Sequence, residues 1–289
     1  MLANTHAIYS FYLYLENCFI NLENYFMGFY DLSKEVRNQL VEKIDRDIAH
    51  NLASSEIENI ITYFSDEDTY IRKTAYLAIG KLFYSKPELQ PTILSTLQAL
   101  LKLDASTTLT KSPEKVRQTV VNAAGEIGKF HFEKVQSFFD TGLFDEHHSV
   151  RNAVIGSVKK MGEKNPIPVL AWAKTYLKHP EKEIRREICH GIELRGRTHP
   201  QDILPLLKTL EFDDTKRVSD TLIHVLGQIA YKNGCLKTVV AHLNTWENKP
   251  LVEKALDEIV DVHDRYKKFA VLSQQEAIDY IDGYYKPEN

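Results

Sequence analysis

Apolar residues recur along this chain at a fixed interval. Val116, Val150, Ile184, Val218 and Val252 lie 34 residues apart. Four positions after each comes Val120, Val154, Ile188, Leu222 or Leu256, and eight after comes Ala124, Val158, Ile192, Leu226 or Val260. Apolar residues at these spacings share one side of an α-helix, so each column predicts a helix with a buried stripe. Twelve after the first column stand Gly128, Gly162 and Gly196, then Ala230 and Asp264. A glycine at that point reads as the C-terminal stop of the helix. A second column, Phe138, Trp172, Leu206 and Val240, repeats with the same 34-residue step in the segment before each of these helices. Pro166, Pro200 and then Gly234 stand near the start of those segments, and proline in the first turn begins a helix at little cost. Each period therefore predicts a pair of antiparallel helices.

The register continues upstream, less regularly, at Val36-Arg37 and Ile71-Arg72. The step from Ile71 to Val116 is 45 residues, which leaves 11 extra residues near Leu103 to Lys111, a polar Ser/Thr-rich loop between the two helices of one pair. The turns before the second helices read Asp-Glu-Asp-Thr-Tyr-Ile-Arg at 66–72, Ser-Pro-Glu-Lys-Val-Arg at 112–117 and His-Pro-Glu-Lys-Glu-Ile-Arg at 179–185. A polar turn with Asp or Pro, then Val/Ile-Arg and a helix, resembles the HEAT repeat. The tetratricopeptide pattern of Trp, Leu-Gly, Tyr and Ala is not visible. The resemblance covers residues 33 to about 265 and implies an all-α, right-handed α-solenoid of about seven two-helix repeats. On that reading residues 31–265 form one repeat array, where length alone would suggest two domains.

Capping segments are expected at both ends. Residues 1–30 hold nine of the chain's 30 aromatics and only two charges, Glu16 and Glu23. This segment reads as a helix capping the open end, as a partner-binding helix, or as an extension outside the native product with Met27 as the true start. In residues 266–289, Ser273 with Glu276 forms a capping box. Ala277, Ile278, Tyr280 and Ile281 give the following helix an apolar side.

Composition agrees with helices: Gly is 12 and Pro 10 in 289 residues, too little turn chemistry for a sandwich or barrel. Cys18, Cys189 and Cys235 make neither a CxxC pair nor an even framework, so no disulfide or zinc site is expected and a reducing compartment fits. No apolar run reaches the length of a membrane span, and the N-terminus lacks a positive signal-peptide region. The expected location is cytoplasmic, with no membrane partner. The net charge is only -4, but residues 150–197 carry 11 basic and five acidic residues, so this segment is +6 and the remainder -10. A basic middle suits a phosphate backbone or an acidic protein segment. Solvated helix faces, with the repeat arginines serving the repeat itself, explain it equally well.

No GxSxG, P-loop, GxGxxG or HExxH is present, so no catalytic residue, cofactor or small-molecule substrate is predicted. Function is sought instead on the side of each second helix away from its buried stripe. In HEAT-like proteins that side lines the concave surface. Here it offers Asn152, Lys159 and Glu163, then Arg186, His190, Glu193 and Arg197, then Asp220, His224 and Tyr231. Arg195 takes a position that is apolar in neighbouring repeats (Ile127, Met161, Ile229), so it must pair with an acid, cap a helix end or reach the surface. The binding candidates are therefore Lys159, Arg186, His190, Glu193, Arg195, Arg197 and His224. His190 and His224 share one register position, which suggests one helix spacing of about 8–10 Å between them, wide for a single metal. HEAT-like metal hydroxylases carry His-Glu pairs just after the repeat arginine. This chain has Arg186-Glu187 and Asp220-Thr221 there, so no metal is expected. Trp172 belongs to the packing column and reads as core.

The fold resemblance implies a non-enzymatic binding or scaffold protein that holds a macromolecule, most simply a protein, on a basic concave surface. An alternative stays open. Residues 179–192 and 203–208 are similar in style to the HEAT-like DNA alkylation repair glycosylases. That resemblance implies duplex DNA as partner, with tryptophans and a carboxylate around the lesion. Neither Trp172 nor Trp246 falls on an exposed row, and Glu193 is the one carboxylate within the basic block's best row.

Overall fold

In a computed structural model, residues 28–286 are described. The aromatic segment singled out above thus lies almost wholly outside the described residues. Among those described, helices are joined by turns and no strand occurs. They group into two compact units, residues 28–96 with 107–112, and residues 97–106 with 113–286.

In the first unit, α1 (Lys34–Ser54), α2 (Glu58–Phe64) and α3 (Thr69–Ser85) enclose Ile44, Ile48, Ile60, Phe64, Ile79 and Phe83, all fully buried. Ser33 and Asp68 cap α1 and α3 by accepting from the backbone N–H groups of Val36 and Tyr70. Asp68 also accepts from Phe29 N–H at 2.6 Å, and the rings of Phe29 and Tyr30 pack on Tyr70. α4 (Gln90–Leu100) follows, its last turn belonging to the second unit.

The second unit repeats one theme. Its second helices are the front of α5 (Pro113–Gly142), α6 (His148–Lys164), α8 (Lys182–Gly191) with the short α9 (Glu193–Gly196), α11 (Lys216–Gln228) and α13 (Lys249–Arg265). They pack in that succession. Between them run the first helices of each pair: the back of α5, α7 (Pro166–Tyr176), α10 (Pro200–Leu207) and α12 (Cys235–Leu243). Pro166 and Pro200 occupy the first turn of their helices, and Gly234, φ +72°, precedes α12. The stripe Val116, Val150, Ile184, Val218 and Val252 is buried throughout, and in the second column Phe138, Trp172 and Val240 are buried while Leu206 is half-buried. The last helix, α14 (Gln274–Tyr284), carries the expected Ser273/Glu276 capping box and presses Ala277 and Ile281 onto α13 and α12.

Two expectations need correction. Of the glycines twelve after the stripe, Gly128 and Gly162 do not stop their helices, while α9 does end at Gly196. Only Gly234 among the described glycines has a positive φ, and the helix runs past Gly128 and Gly162. Gly128 and Gly196 instead mark close approach: an added Cβ would lie 2.3 Å from the Met161 sulfur at Gly128 and 2.3 Å from Ile203 Cδ1 at Gly196. The chain also needs no loop after Gly128. α5 continues into the next first helix through a kink at His131 (φ -132°, ψ 58°).

Where an arginine opens a second helix, as at Arg72, Arg117, Arg151 and Arg185, it ties together the turns. Arg151 donates to the carbonyls of Asp145 (2.6 Å) and Glu146 (2.9 Å), and Arg185 to those of His179 (2.8 Å) and Pro180 (2.9 Å). Arg72 grips Asp66 and Glu67 in the same way. Arg117 reaches Leu103 O in the inserted loop at 2.7 Å. Arg117 and Arg185 also face the turn of the following pair. Arg117 holds Asp145 through two bonds of 2.7 and 3.0 Å, and Arg185 holds Asp213 through two of 2.5 and 3.0 Å. At the matching place for Arg151 stands His179, so Arg151 turns to Glu187 at 3.5 Å. The repeat arginines thus carry structural work, and their charge is spent inside the fold.

Candidate functional site: a polar cluster on the second helices

Five of the seven predicted residues meet at one place. Lys159 projects from α6, His190 from α8, Glu193 and Arg197 from α9 and its end, and His224 from α11. Each follows from the register: positions six, nine and thirteen past the stripe fall on one side of successive helices. Glu193 is the exception to its predicted exposure, at 1% accessible. α8 ends at Gly191 and the chain resumes as α9, so a straight-helix count no longer gives the direction of residue 193. Tyr231 fails for a similar reason. It lies past the end of α11, buried and stacked on Tyr266 at 5.4 Å.

Glu193 is the hub. It accepts from Arg197 Nε at 2.9 Å and Nη2 at 2.5 Å, and lies 3.3 Å from Lys159 Nζ and 3.2 Å from His190 Nε2. Burial pushes its carboxyl up. The hydrogen bond with His190 and the charges of Lys159 and Arg197 outweigh burial and hold it at about 2. Lys159 Nζ also sits 2.8 Å from His190 Nε2. Arg197 donates to Gln228 Oε1 at 2.9 Å, which turns the buried Gln228 amide nitrogen away from it, with no acceptor among the described residues. The rings of His190 and His224 are 6.1 Å apart, closer than the helix spacing suggested. His224 faces Glu258 at 3.7 Å, and Glu258 is ion-paired to Arg265. Burial, reinforced by His190 and Arg265 against the pull of Glu193 and Glu258, lowers the His224 imidazole below its ordinary value.

Sequence reasoning missed Gln228, Glu258 and Arg265. A signal existed for two of them. Glu258 holds the register position of His190 and His224, and Arg265 that of Arg197, so the same rows carried on into the last pair. Gln228 gave none, because its position holds Glu126, Lys160 and Leu194 elsewhere.

The other two candidates lie apart from the hub. Arg186 contacts Glu183 at 2.9 Å and Glu187 at 3.5 Å. Burial raises the Glu187 carboxyl, against the pull of Arg151 and Arg186, and its Oε2 has no hydrogen-bond partner among the described residues. Arg195 finds the acid its position demanded: Asp202, at 2.6 Å across the turn into α10.

His190, Glu193 and His224 each place one ligand-type atom within 4.8 Å of the others, a His–His–carboxylate set of the kind that binds divalent metals. Lys159 already contacts His190 and one carboxylate oxygen of Glu193, and Arg197 occupies the other oxygen, so a metal cation would have to displace an ammonium from a site rich in positive charge. The tryptophans offer no lesion platform either, since Trp172 and Trp246 are buried. What this arrangement does supply is a set of half-exposed donors: Lys159, His190 and Arg197 oriented by the buried Glu193, Arg186 beside the buried Glu187, and His224 facing the half-buried Glu258.

No family model matches the chain. No curated protein matches it either. Among solved structures it is similar to YibA of E. coli, with 16% identity over 87% of this chain and 97% of that one, TM-score 0.38. It is similar to the complex of CpcE and CpcF of phycocyanin lyase from Nostoc sp. PCC7120, with 14% identity over 78% and 92%, TM-score 0.32. An engineered protein matches with 14% identity over 88% of this chain and 69% of its own, TM-score 0.33. The all-α architecture rests on this chain's own helices. No helix among the described residues is long and apolar enough to cross a membrane.

Proposed function

We propose that the chain is a non-enzymatic binding protein of the HEAT-repeat type that holds a protein partner on the second-helix face built by Lys159, Arg186, His190, Arg197 and His224. The observation that carries this reading is the buried Glu193, which fixes donors from two successive second helices, Lys159 of one and His190 and Arg197 of the next, in one geometry. Side chains locked by a buried partner lose little freedom on binding. Interleaved acids (Glu183, Glu187, Glu193) offset the basic block, and a surface of mixed sign suits a protein partner better than a phosphate backbone.

The test compares the wild-type chain with a double variant, Arg186→Glu and His224→Glu, after circular dichroism has shown equal helix content. Affinity capture from lysate is analysed for protein and for nucleic acid. The expected outcome is a protein partner retained by the wild type and lost by the variant. If the variant keeps every captured partner at unchanged affinity, this face is the wrong surface. If the wild type shifts duplex DNA at about 50 mM salt and releases it steeply as salt rises, the partner class is wrong.

A further inference from the structure

A groove of about 510 Å³ lies between the back of α5 and α7, on first helices and independent of the face proposed above. Gln136, Asp140, Trp172, Thr175 and Tyr176 line it. Asp140 is half-buried in it. Trp172 and Tyr176, one turn apart on α7, both donate to the same carboxylate oxygen: Trp172 Nε1–H at 2.6 Å and Tyr176 Oη–H at 2.8 Å to Oδ1. That oxygen's two lone pairs are thereby used. The other, Oδ2, has only a long 3.4 Å contact from Gln136.

What Asp140 lacks is a cation. Asp145, Asp213, Asp202 and Glu193 are each paired with an arginine. Asp140 has no ion-pair partner among the described residues; its partners are neutral donors. A carboxylate drawn partly out of water and held by neutral groups keeps its negative charge directed at the groove. The half-buried Tyr176 adds to the attraction, since a Tyr ring face favours cations, while the buried Trp172 contributes only its N–H. Phe144 extends the aromatic surface, 53% exposed, with its ring 6.2 Å from that of Tyr176.

We infer that this groove receives a lysine side chain from a partner protein, with the ammonium on Asp140 Oδ2. Lysine fits better than arginine. The side-by-side pairing that favours a guanidinium uses both carboxylate oxygens, and Oδ1 is already taken, whereas an ammonium is a compact point charge suited to one oxygen.

Trp172 makes the inference testable, because its indole N–H bonds the carboxylate in question. The ¹⁵N-labelled chain is titrated with the peptide acetyl-Gly-Gly-Lys-Gly-Gly-amide, and the two indole resonances are followed. Trp172 is expected to shift saturably and the buried Trp246 to stay fixed. The ε-acetyl-lysine peptide should cause no shift, and the arginine peptide should bind several-fold more weakly. Asp140→Asn should weaken binding at least tenfold. Gln136→Lys, at an exposed position one turn before Asp140, should do the same by supplying the ammonium from within, and it leaves Asp140 and its two donors intact. The inference is overturned if Trp172 does not shift, if acetyl-lysine or arginine binds as well as lysine, or if binding persists in both variants.

Discussion

Replacing Glu193 by glutamine keeps the shape of the side chain and removes the charge on which Lys159, His190 and Arg197 converge. The cost follows from linkage. The carboxyl moves from an ordinary 4.5 to about 2 on folding, which is worth about 3 kcal/mol at neutral pH. That agrees with the roughly 3–5 kcal/mol lost when one member of a buried ion pair is removed. Because the folded value lies below the unfolded one, the unfolded chain binds the proton first. The stabilisation is complete above about pH 4.5 and is lost as pH falls towards 2; roughly 1.5 kcal/mol should remain at pH 3. Both tryptophans lie in the second unit, so urea unfolding followed by their fluorescence reports on the unit that contains Glu193. Wild type and Glu193→Gln should differ by about 3 kcal/mol at pH 7 and by about half that at pH 3. A difference below about 1 kcal/mol at pH 7, or one that does not change with pH, would refute the hub.

Three further outcomes are expected. Arg185→Ala should cost about 3 kcal/mol in urea unfolding, because it strands the buried Asp213, while Arg151→Ala, whose acid sits at 3.5 Å, should cost about 1 kcal/mol; equal losses would contradict the pairing described. Gly162→Ala should leave stability unchanged or raise it by up to about 1 kcal/mol, since the new methyl meets only Val169 at 3.8 Å, whereas Gly196→Ala, which drives a methyl into Ile203 and Ile229, should lower the melting temperature and cost about 1–3 kcal/mol. His224 and His242 are both lowered chiefly by burial, so the unfolded chain protonates first and stability should begin to fall as pH drops below about 6.5; a flat profile between pH 7 and 5.5 would contradict this.

The helices were legible because burial imposes a period. Only a residue that recurs every 34 positions can face the same neighbour in each pair, so Val116 to Val252 announced themselves. The partners of the arginines were not legible in the same way. Asp145 and Asp213 lie 28 residues beyond their arginines, a distance that acquires meaning only once the helices are stacked. The glycines were visible but misread. A small residue at a fixed register position serves equally to end a helix or to admit a neighbour's side chain, and only φ and the surrounding atoms distinguish the two. The binding candidates came from extrapolating a straight helix, which held for Lys159, His190 and His224. It failed at Glu193, where the break after Gly191 turns a presumed surface acid into the anchor of the cluster. That failure changed the reading of the basic segment: its excess charge, large on paper, is largely occupied with acids of the same fold.

The substitution of His179 at the aspartate position also sets how force and fluctuation travel through the second unit. Stacked pairs share their stability with their neighbours, and the strength of each joint decides whether they melt together or in parts. The joints made by Arg117 with Asp145 and by Arg185 with Asp213 are double hydrogen bonds between opposite charges. The joint between them, where Arg151 meets no aspartate, is the loosest of the three. Pulled from its C-terminus, the array would give way readily at that joint and pause at the next, leaving the pairs before residue 166 folded as a block held by Arg117 and Asp145.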